Sequence, residues 1–312
     1  MKSQIYNPAY IVLARIVSVL MSPAYYFFNL FRKSYDFNTK LLKTILVTEY
    51  HRIGDVIIII PVLKSLKLKF PNSKIILVCN PTVAKLALEI GIADEIIGFR
   101  APWTEWEWSP FKWVRARALA KKIGKKDIDL VIDFKGDLRN SWFLWQIGGK
   151  NSLGYSTTGG SYFYTMPKPF PSKIHQADRA MELISFLGCE PFNVHKNFKY
   201  NKNNSIVLHP GVTDPRRAWP DKFWMKLIDL LSANEKVALV KTPETHGLIQ
   251  QVIQEGIPVE IFEGDLIDFY HWLSGQKLFI GPDSMSGHLA THLNIPVISI
   301  FGSQDPKYTR PL

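Results

Sequence analysis

The sequence predicts an α/β protein made of two doubly wound, parallel-sheet domains. Two observations support this: short apolar, β-branched runs alternate with segments of helical periodicity, and the alternation restarts after a polar stretch. Strands that alternate with helices favour parallel sheets covered on both faces. The predicted divisions are an N-terminal apolar extension over 1–42, a first Rossmann-like domain over 43–192, a linker over 193–204 and a second Rossmann-like domain over 205–312.

In the first domain, three apolar runs are predicted to be strands: residues 44–48, 74–79 and 128–133. The run 56–60 also has strand composition. However, Pro61 and the spacing of Leu63, Leu66 and Phe70 favour a buried helix. Later helices are predicted over 138–147 and 177–187. In the second domain, helices are predicted over 221–231 and near Ile249, and strands over 205–209, 237–241, 259–262, 278–281 and 297–301.

The N-terminal extension contains a strongly apolar segment, residues 11–31, with basic flanks and no small-residue cleavage site. Arg15 and Pro23 disfavour a membrane span. The polar residues of this region fall close to one helical face: Arg15, Ser18, Ser22, Asn29 and Lys33. Three interpretations stay open: a helix in the membrane interface, a helix packed on the domain with this polar stripe in water, and a membrane span.

Composition limits the partners. The formal net charge of +11 favours an anionic partner, so nucleic acid, an acidic membrane surface and an acidic glycolipid are all candidates. Cys79 and Cys189 fit no metal or redox spacing, and we expect two reduced thiols.

The most informative segment is residues 281–302. An apolar strand delivers Asp283, Ser284 and Ser286, and a helix is predicted to begin near Gly287 and to include His288. The free N–H groups and positive dipole of a helix N-terminus bind anions where a strand ends. We therefore expect a phosphorylated ligand here.

A second candidate segment, H51-RIGDV-V56, follows the first strand. Gly54 allows backbone to approach a ligand closely, and Asp55 stands at the start of a helix, as a functional carboxylate or as a helix cap. The segment has neither a G-x-G-x-x-G nor a P-loop pattern. A nicotinamide cofactor and a P-loop nucleotide site are therefore not expected.

Two loops of the second domain carry further candidates. The loop after residue 209 contains Thr213, Arg216 and Arg217, which suit a pyrophosphate or form a solvated basic loop. The loop after residue 241 contains Glu244, which either accepts hydrogen bonds from a ribose or caps the following helix.

These three motifs together, R-I-G-D-V, H-P-G-x-T…R-x-W-P and P-D-S-x-x-x-H-L-A, resemble those of glycosyltransferase family 9, whose best-known members are ADP-heptose lipopolysaccharide heptosyltransferases. The resemblance spans about residues 43–312. It implies a GT-B fold with a cleft between two Rossmann-like domains and metal-independent, inverting transfer.

The resemblance also implies roles for individual residues. Asp55 matches the catalytic base, Arg217 and Thr213 match contacts to the donor phosphates, and Asp283 matches the acidic residue of the donor-sugar site. Ser284 and His288 follow in that last motif. The family pattern usually has glycine where this chain has Met285, with Gly287 two positions later. The pattern also lacks the first forty residues and usually continues beyond Leu312, so we expect a shortened chain.

The predicted activity is transfer of a sugar, heptose from ADP-heptose, onto an anionic, lipopolysaccharide-core-like glycolipid at the inner face of the inner membrane. No metal, cofactor or nucleic acid is expected. Two alternatives remain: a GT-B enzyme with another nucleotide sugar, and a silent membrane-surface binding protein, which the changed P-D-S-M motif favours. Asp127 and Asp129 form a D-x-D triplet, typical of metal-dependent glycosyltransferases, but they precede a strand instead of following one.

Two further features have alternative interpretations. The tryptophan-rich segment over 103–113 either stacks on sugars or a membrane, or wedges into the domain surface. His175 is expected to be structural.

Overall fold

The computed structural model describes residues 7–104, 109–192 and 204–312. The chain divides into two compact units, Met1–Phe192 and Asn193–Leu312. The linker predicted over 193–204 lies outside the described residues except for Asn204.

Unit 1 contains a six-stranded, all-parallel sheet in the order β3-β2-β1-β4-β5-β6. The strands are β1 (Thr44–Glu49), β2 (Lys74–Cys79), β3 (Glu95–Gly98), β4 (Leu130–Asp133), β5 (Asn151–Tyr155) and β6 (Met166–Lys168). Strand order reverses between β1 and β4, which makes the carboxyl ends of these two strands the usual ligand position in such a sheet.

The helices of unit 1 connect these strands or flank the sheet. They are α1 (Pro8–Leu30), α2 (Ile53–Ile58), α3 (Ile60–Lys69), α4 (Pro81–Ile90), α5 (Pro110–Gly124), α6 (Leu138–Ile147) and α7 (Gln176–Ser185). The apolar run 56–60 is helical except at Ile59, where α2 ends before α3 begins, so the predicted single helix is divided into two. Pro61 lies in the first turn of α3, where its missing N–H costs nothing.

Unit 2 contains a five-stranded parallel sheet in the order β11-β10-β7-β8-β9. Its strands are β7 (Ile206–Leu208), β8 (Val237–Val240), β9 (Glu260–Phe262), β10 (Leu278–Pro282) and β11 (Val297–Ile300), and its helices are α8 (Asp221–Ser232), α9 (His246–Gln254), α10 (Leu266–Leu273), α11 (Met285–His292) and α12 (Pro306–Thr309). The reversal of order here lies between β7 and β10.

Helix α1 packs on unit 1 through its polar stripe. Arg15 donates to the Thr157 carbonyl at 3.1 Å, Ser18 Oγ accepts from the Gly160 amide at 2.8 Å, and Asn29 donates to the Tyr162 carbonyl at 2.7 Å. The expectation that this stripe faces solvent or headgroups is therefore wrong for Ser18 and Asn29, because the backbone carbonyl and amide groups of residues 157–162 need partners. Arg15 makes such a bond and remains exposed. α1 is also the one helix of the described chain that is long and apolar enough to cross a membrane by length and composition, a test that signal sequences pass as well.

The tryptophan-rich segment is described only at its ends. Trp103 is buried and packs against Trp113 with ring centroids 5.4 Å apart, so both wedge into the core of unit 1. Trp106 and Trp108 lie outside the described residues. Cys79 and Cys189 are free and buried, as expected, and burial raises the pKa of the Cys79 thiol to about 12.

Candidate active site

Asp55 lies in the first turn of α2, directly after β1, at the carboxyl edge of the unit 1 sheet. The N-cap position of α2 is Arg52, so the interpretation of Asp55 as a helix cap is wrong. Its carboxylate instead contacts two side chains from distant parts of the chain. Oδ1 lies 3.3 Å from the ammonium of Lys135 and accepts a hydrogen bond of 2.6 Å from the Gln176 amide.

Lys135 is the centre of a buried charge cluster. It follows β4, the strand next to β1, and its side chain is only 4% exposed. Its ammonium lies 3.5 Å from Glu49 at the end of β1, in addition to its contact with Asp55. Glu49 in turn lies 3.2 Å from the Nδ1 atom of His51. The buried carboxylate of Glu49 and the carboxylate of Asp55, which is 15% exposed, therefore share one lysine. This meets the requirement that buried charges be paired.

This cluster sets the ionisation of Asp55. Burial by itself raises the pKa of the carboxyl group, but the Lys135 ammonium and the Gln176 hydrogen bond, helped by His51 and Arg52, outweigh burial and lower the pKa to about 2. Asp55 is consequently ionised at neutral pH, as an acceptor of a proton must be.

The loop that carries Lys135 is held by hydrogen bonds to the Asp133 side chain and by a glycine turn. Asp133 Oδ1 accepts hydrogen bonds from the amides of Lys135 at 2.9 Å and Gly136 at 3.1 Å, and Asp133 Oδ2 accepts from Tyr164 at 2.6 Å. Gly136 has φ of 68°, and a Cβ there would lie 2.1 Å from the Tyr155 carbonyl oxygen. Only glycine fits this position, so the turn fixes the direction of Lys135.

His175 has a structural role, as expected. It is the N-cap of α7, and its Nδ1 atom accepts from the Ala177 amide at 3.1 Å. Because this cap fixes the start of α7 at Gln176, it helps to position the Gln176 side chain that donates to Asp55. Gly54 is the second residue of α2.

In unit 2, the structure brings together residues from both strands at the reversal of sheet order. Arg217 ends the 3-10 turn Pro215–Arg217 after β7, and Asp283 follows β10. The Arg217 Nη1 atom lies 3.0 Å from Asp283 Oδ2 and donates to the Asp283 carbonyl at 3.1 Å. Gly302 fits tightly below this turn, since a Cβ there would lie 2.6 Å from the Arg216 carbonyl oxygen.

Three buried polar atoms in the segments that follow β7 and β10 have no hydrogen-bond partner among the described residues: Arg217 Nε, Ser284 Oγ and His209 Nδ1. Ser284 is the N-cap of α11 but makes no side-chain cap bond, and His209 directly follows β7. Buried polar groups are almost always paired in native proteins, and unpaired ones point to a missing ligand, ion or water. Together with the helix N-terminus, these atoms form a candidate anion-binding site.

The remaining predicted residues surround this site less closely. Thr213 is exposed in the loop after β7, and Glu244 is exposed in the 3-10 turn Pro243–Thr245. Burial lowers the pKa of His209, and the negative charge of Glu244 partly offsets this. Glu244 is not a cap, because the capping box of that turn is formed by Thr242 and Thr245.

The last two predicted features belong to α11 and to the opposite edge of the unit 1 sheet. α11 begins at Met285, two residues before the predicted Gly287, and it contains His288.

The D-x-D carboxylates lie at the amino end of β4, away from Asp55. Asp129 Oδ2 accepts from the amides of Lys43 and Thr44 at 2.7 and 2.9 Å, and Lys150 bridges Asp127 and Asp129 at 3.0 and 2.7 Å. These contacts give both residues a structural role.

Comparison with known proteins agrees with this arrangement. The profile of glycosyltransferase family 9 (heptosyltransferase) matches residues 116–312. The chain is similar to lipopolysaccharide heptosyltransferase 1 of Pseudomonas aeruginosa, with 22% identity over 85% of this chain and 80% of that protein. It is also similar to lipopolysaccharide heptosyltransferase 1 of Escherichia coli K12, with 23% identity over 84% of this chain and 88% of the other.

Solved structures show the same fold. A glycosyl transferase family 9 protein from Veillonella parvula superposes with a TM-score of 0.74 at 18% identity, covering 90% of this chain and 86% of that one. The E. coli heptosyltransferase WaaC with ADP-2-deoxy-2-fluoro heptose superposes with a TM-score of 0.71 at 20% identity, covering 84% and 90% of the two chains.

Two parallel α/β units, each with polar side chains at the reversal of its sheet, have the architecture of the GT-B fold. The chain belongs to glycosyltransferase family 9, and the protein is a sugar-transferring enzyme.

Proposed function

We propose that this enzyme transfers heptose from ADP-heptose onto the core of a lipopolysaccharide-like, anionic glycolipid, by an inverting, metal-independent displacement. The observation that carries the proposal is the group of unpaired buried atoms around Arg217 and Asp283 in a family 9 enzyme. A donor with a diphosphate would complete these hydrogen bonds. The names of the relatives support heptose as the sugar and lipopolysaccharide as the acceptor.

In the proposed reaction, a hydroxyl oxygen of the acceptor attacks the anomeric carbon of the donor sugar. The bond from that carbon to the diphosphate oxygen breaks, and its electron pair leaves with ADP. Asp55 takes the hydroxyl proton. A carboxylate with a pKa of about 2 is a weak base, so the proton moves late, after the attacking oxygen has gained positive charge.

The leaving diphosphate would be stabilised by unit 2. Arg217 offers guanidinium donors, of which Nε is still unpaired, and Ser284 offers a hydroxyl at the N-terminus of α11. Thr213, which is exposed in the same loop as Arg217, would add a second hydroxyl. Such preorganised donors stabilise the charge that develops in the transition state, which is the task of a metal ion in other glycosyltransferases.

The acceptor also determines where the enzyme works. A lipopolysaccharide precursor is a membrane lipid, and nucleotide sugars are made in the cytoplasm, so we place the protein at the cytoplasmic surface of the inner membrane. The net charge of +11 supports attraction to such an anionic surface.

A thermal-shift series followed by an ADP-release assay tests the donor and the acceptor separately. ADP-heptose and ADP should raise the melting temperature, because ligands that bind only the native state stabilise it by mass action. UDP- and GDP-sugars should not. ADP release should then require a heptose-deficient lipopolysaccharide acceptor. Stabilisation by a UDP- or GDP-sugar instead would assign a different donor to the same fold.

A further inference from the structure

Helix α1 has an apolar outer face, formed by Leu13, Ile16, Leu20, Phe27 and Phe31. Each of these side chains is more than half exposed, from 53% for Ile16 to 76% for Phe31. Their spacing of three, four, seven and four residues places them on one side of the helix. No charge interrupts this face, since Arg15, the one charged residue of α1, turns towards Thr157. A contiguous exposed apolar face marks an interaction surface.

The opposite side of α1 contacts the rest of unit 1 at several points, and Ala14 and Ser18 are its buried residues. Besides the bonds of Arg15, Ser18 and Asn29, Arg32 stacks on the Trp145 ring, with 4.3 Å to its centroid. From residue 15 to residue 32 a helix rises about 26 Å. A membrane-spanning α1 would have to leave all these partners and take its polar groups into hydrocarbon. The geometry therefore favours a helix that lies along the body of unit 1.

Helix α5 provides a second, independent observation. It contains five basic residues and no acidic one. Arg115, Arg117, Lys121 and Lys122 are exposed, and the same side of the helix exposes Phe111 and Val114, at 78% and 67%. Cations mixed with exposed apolar side chains on one helix face are typical of contact with anionic lipid.

Both helices pack on the same neighbour. The Trp145 ring of α6 meets Tyr25 of α1 at 5.1 Å, and Trp142, one turn earlier, meets Trp113 of α5 at 5.7 Å. No residue of α6 itself is exposed. Contacts on adjacent turns of one helix therefore place α1 and α5 beside the same helix.

We propose that α1 and α5 together form a bilayer-binding surface: the outer face of α1 enters the acyl boundary of one leaflet, and the cations of α5 contact anionic headgroups. This inference deepens the membrane part of the proposed function. It identifies the surface that binds and makes α1 a monotopic anchor.

A second copy of the chain is a poorer occupant of this surface. In a two-fold dimer the same patch meets itself. The cations of α5 would then face like charges, which disfavours such an interface. A bilayer that contains anionic lipid complements both parts of the surface at once.

Vesicle co-sedimentation of the full-length protein tests the proposal. Wild-type protein should bind vesicles of phosphatidylcholine with 30 mol% phosphatidylglycerol more tightly than pure phosphatidylcholine vesicles. The triple change Leu13→Gln, Leu20→Gln and Phe27→Gln should abolish binding to both. A matched control is Leu88→Gln, Leu230→Gln and Ile253→Gln, at positions equally exposed elsewhere, and it should bind as wild type does.

The contribution of α5 is tested with Arg115→Gln, Arg117→Gln and Lys121→Gln. These changes should reduce binding to the anionic vesicles by about 10²-fold and leave the weak binding to neutral vesicles unchanged. Removing three exposed lysines of unit 2, Lys222, Lys226 and Lys236, by the same substitution lowers the net charge equally and should have a much smaller effect.

Three results would overturn the proposal. The α1 triple variant could bind vesicles as well as wild type, the full-length protein could resist alkaline carbonate extraction as spanning proteins do, or it could be a dimer that the α1 changes dissociate. Each variant is also assayed for transfer to a soluble acceptor analogue. Normal transfer with lost vesicle binding supports the surface, whereas lost transfer in wild type concerns the proposed function alone.

Discussion

The carboxylate of Asp55 and the ammonium of Lys135 lie 3.3 Å apart, although 80 residues separate them in the chain. Lys135 is shared with Glu49, so the cluster keeps one net negative charge when both carboxyl groups are ionised. The ion pair keeps the Asp55 carboxylate ionised and fixes its position, and it also makes Asp55 a weaker base. Lys135 is therefore a positioning residue for the proposed reaction.

The first prediction concerns pH. Because the pKa of Asp55 in the fold, about 2, is lower than its ordinary value near 4, the ionised form adds stability above pH 4, and this is lost as pH falls through 2. Lys135→Met leaves burial as the main influence, which raises the pKa. The kcat/KM of the wild type should be flat from pH 8 to pH 5, while that of the variant should fall in the lower part of this range.

Lys150→Met is the matched control, since Lys150 also bridges two carboxylates, at the opposite end of β4. It should leave the pH profile of kcat/KM unchanged. Superimposable profiles for Lys135→Met and wild type would show that Lys135 does not govern the reacting carboxylate.

The second prediction concerns the base itself. Asp55→Asn keeps the shape of the side chain and its contact with Gln176 but removes the proton acceptor. Turnover should fall by roughly 10²- to 10⁴-fold, while donor binding by calorimetry should be retained. Asp127→Asn, which changes an exposed, ion-paired carboxylate of the same unit, should retain wild-type turnover. Near-normal turnover in Asp55→Asn would remove Asp55 from the mechanism.

The third prediction separates two adjacent arginines. Arg217 is paired with buried Asp283, whereas Arg216 pairs with Asp214 at the surface and is 53% exposed. Arg217→Ala should weaken transition-state stabilisation by about 2–4 kcal/mol, measured from kcat/KM. Arg216→Ala should change kcat/KM little. The melting temperatures of Arg217→Ala and Asp283→Asn report the stability that is lost with the buried pair. This separates loss of the pair from loss of the donor contact, which is measured from kcat/KM. A larger effect at Arg216 would show that the motif is displaced by one residue.

Much of the fold could be predicted from the sequence because the central strands are fully buried. β1, β2 and β4 are apolar on both faces and read as continuous runs. The other strands of unit 1 were missed. β3, β5 and β6 are short and mixed in composition, such as Asn151–Tyr155 and Met166–Lys168. They become strands because the neighbouring strand offers free backbone groups, a tertiary effect that local propensity does not contain.

The site residues could also be predicted only in part, because tertiary relationships are not contained in the local sequence. Asp55, Arg217 and Asp283 each follow an apolar strand, so the local pattern marked them as candidates, and the family resemblance assigned their roles. Lys135 also follows a strand, before a glycine, but its importance depends on β4 lying next to β1, which only strand order reveals. The predicted direction of the polar stripe of α1 was wrong for a related reason. Its polar residues satisfy backbone groups at 157–162, and no signal inside α1 reports them.

The fourth prediction concerns metal. If Arg217 and the N-terminus of α11 stabilise the leaving diphosphate, transfer should continue at an unchanged rate in excess EDTA. ADP release is the measurement. Activity that is lost with EDTA and restored by Mg²⁺ or Mn²⁺ would contradict this mechanism and would direct attention to Asp127 and Asp129.

The last prediction tests the seating of α1 without changing α1. Gly159 has φ of 98°, and a Cβ there would lie 2.5 Å from the Ser18 Cβ atom. Gly159→Ala therefore adds two costs: the left-handed backbone strain of a non-glycine residue, about 1 kcal/mol, and overpacking against α1, about 1–3 kcal/mol. Gly91→Ala, at φ of 67° with no atom within 4 Å, carries only the first. Chemical denaturation should show a larger loss for Gly159→Ala, together with faster proteolysis within α1. Equal losses in the two variants would mean that α1 is not held against this loop in solution. The packing of α1 on the rest of unit 1 would then have to be abandoned.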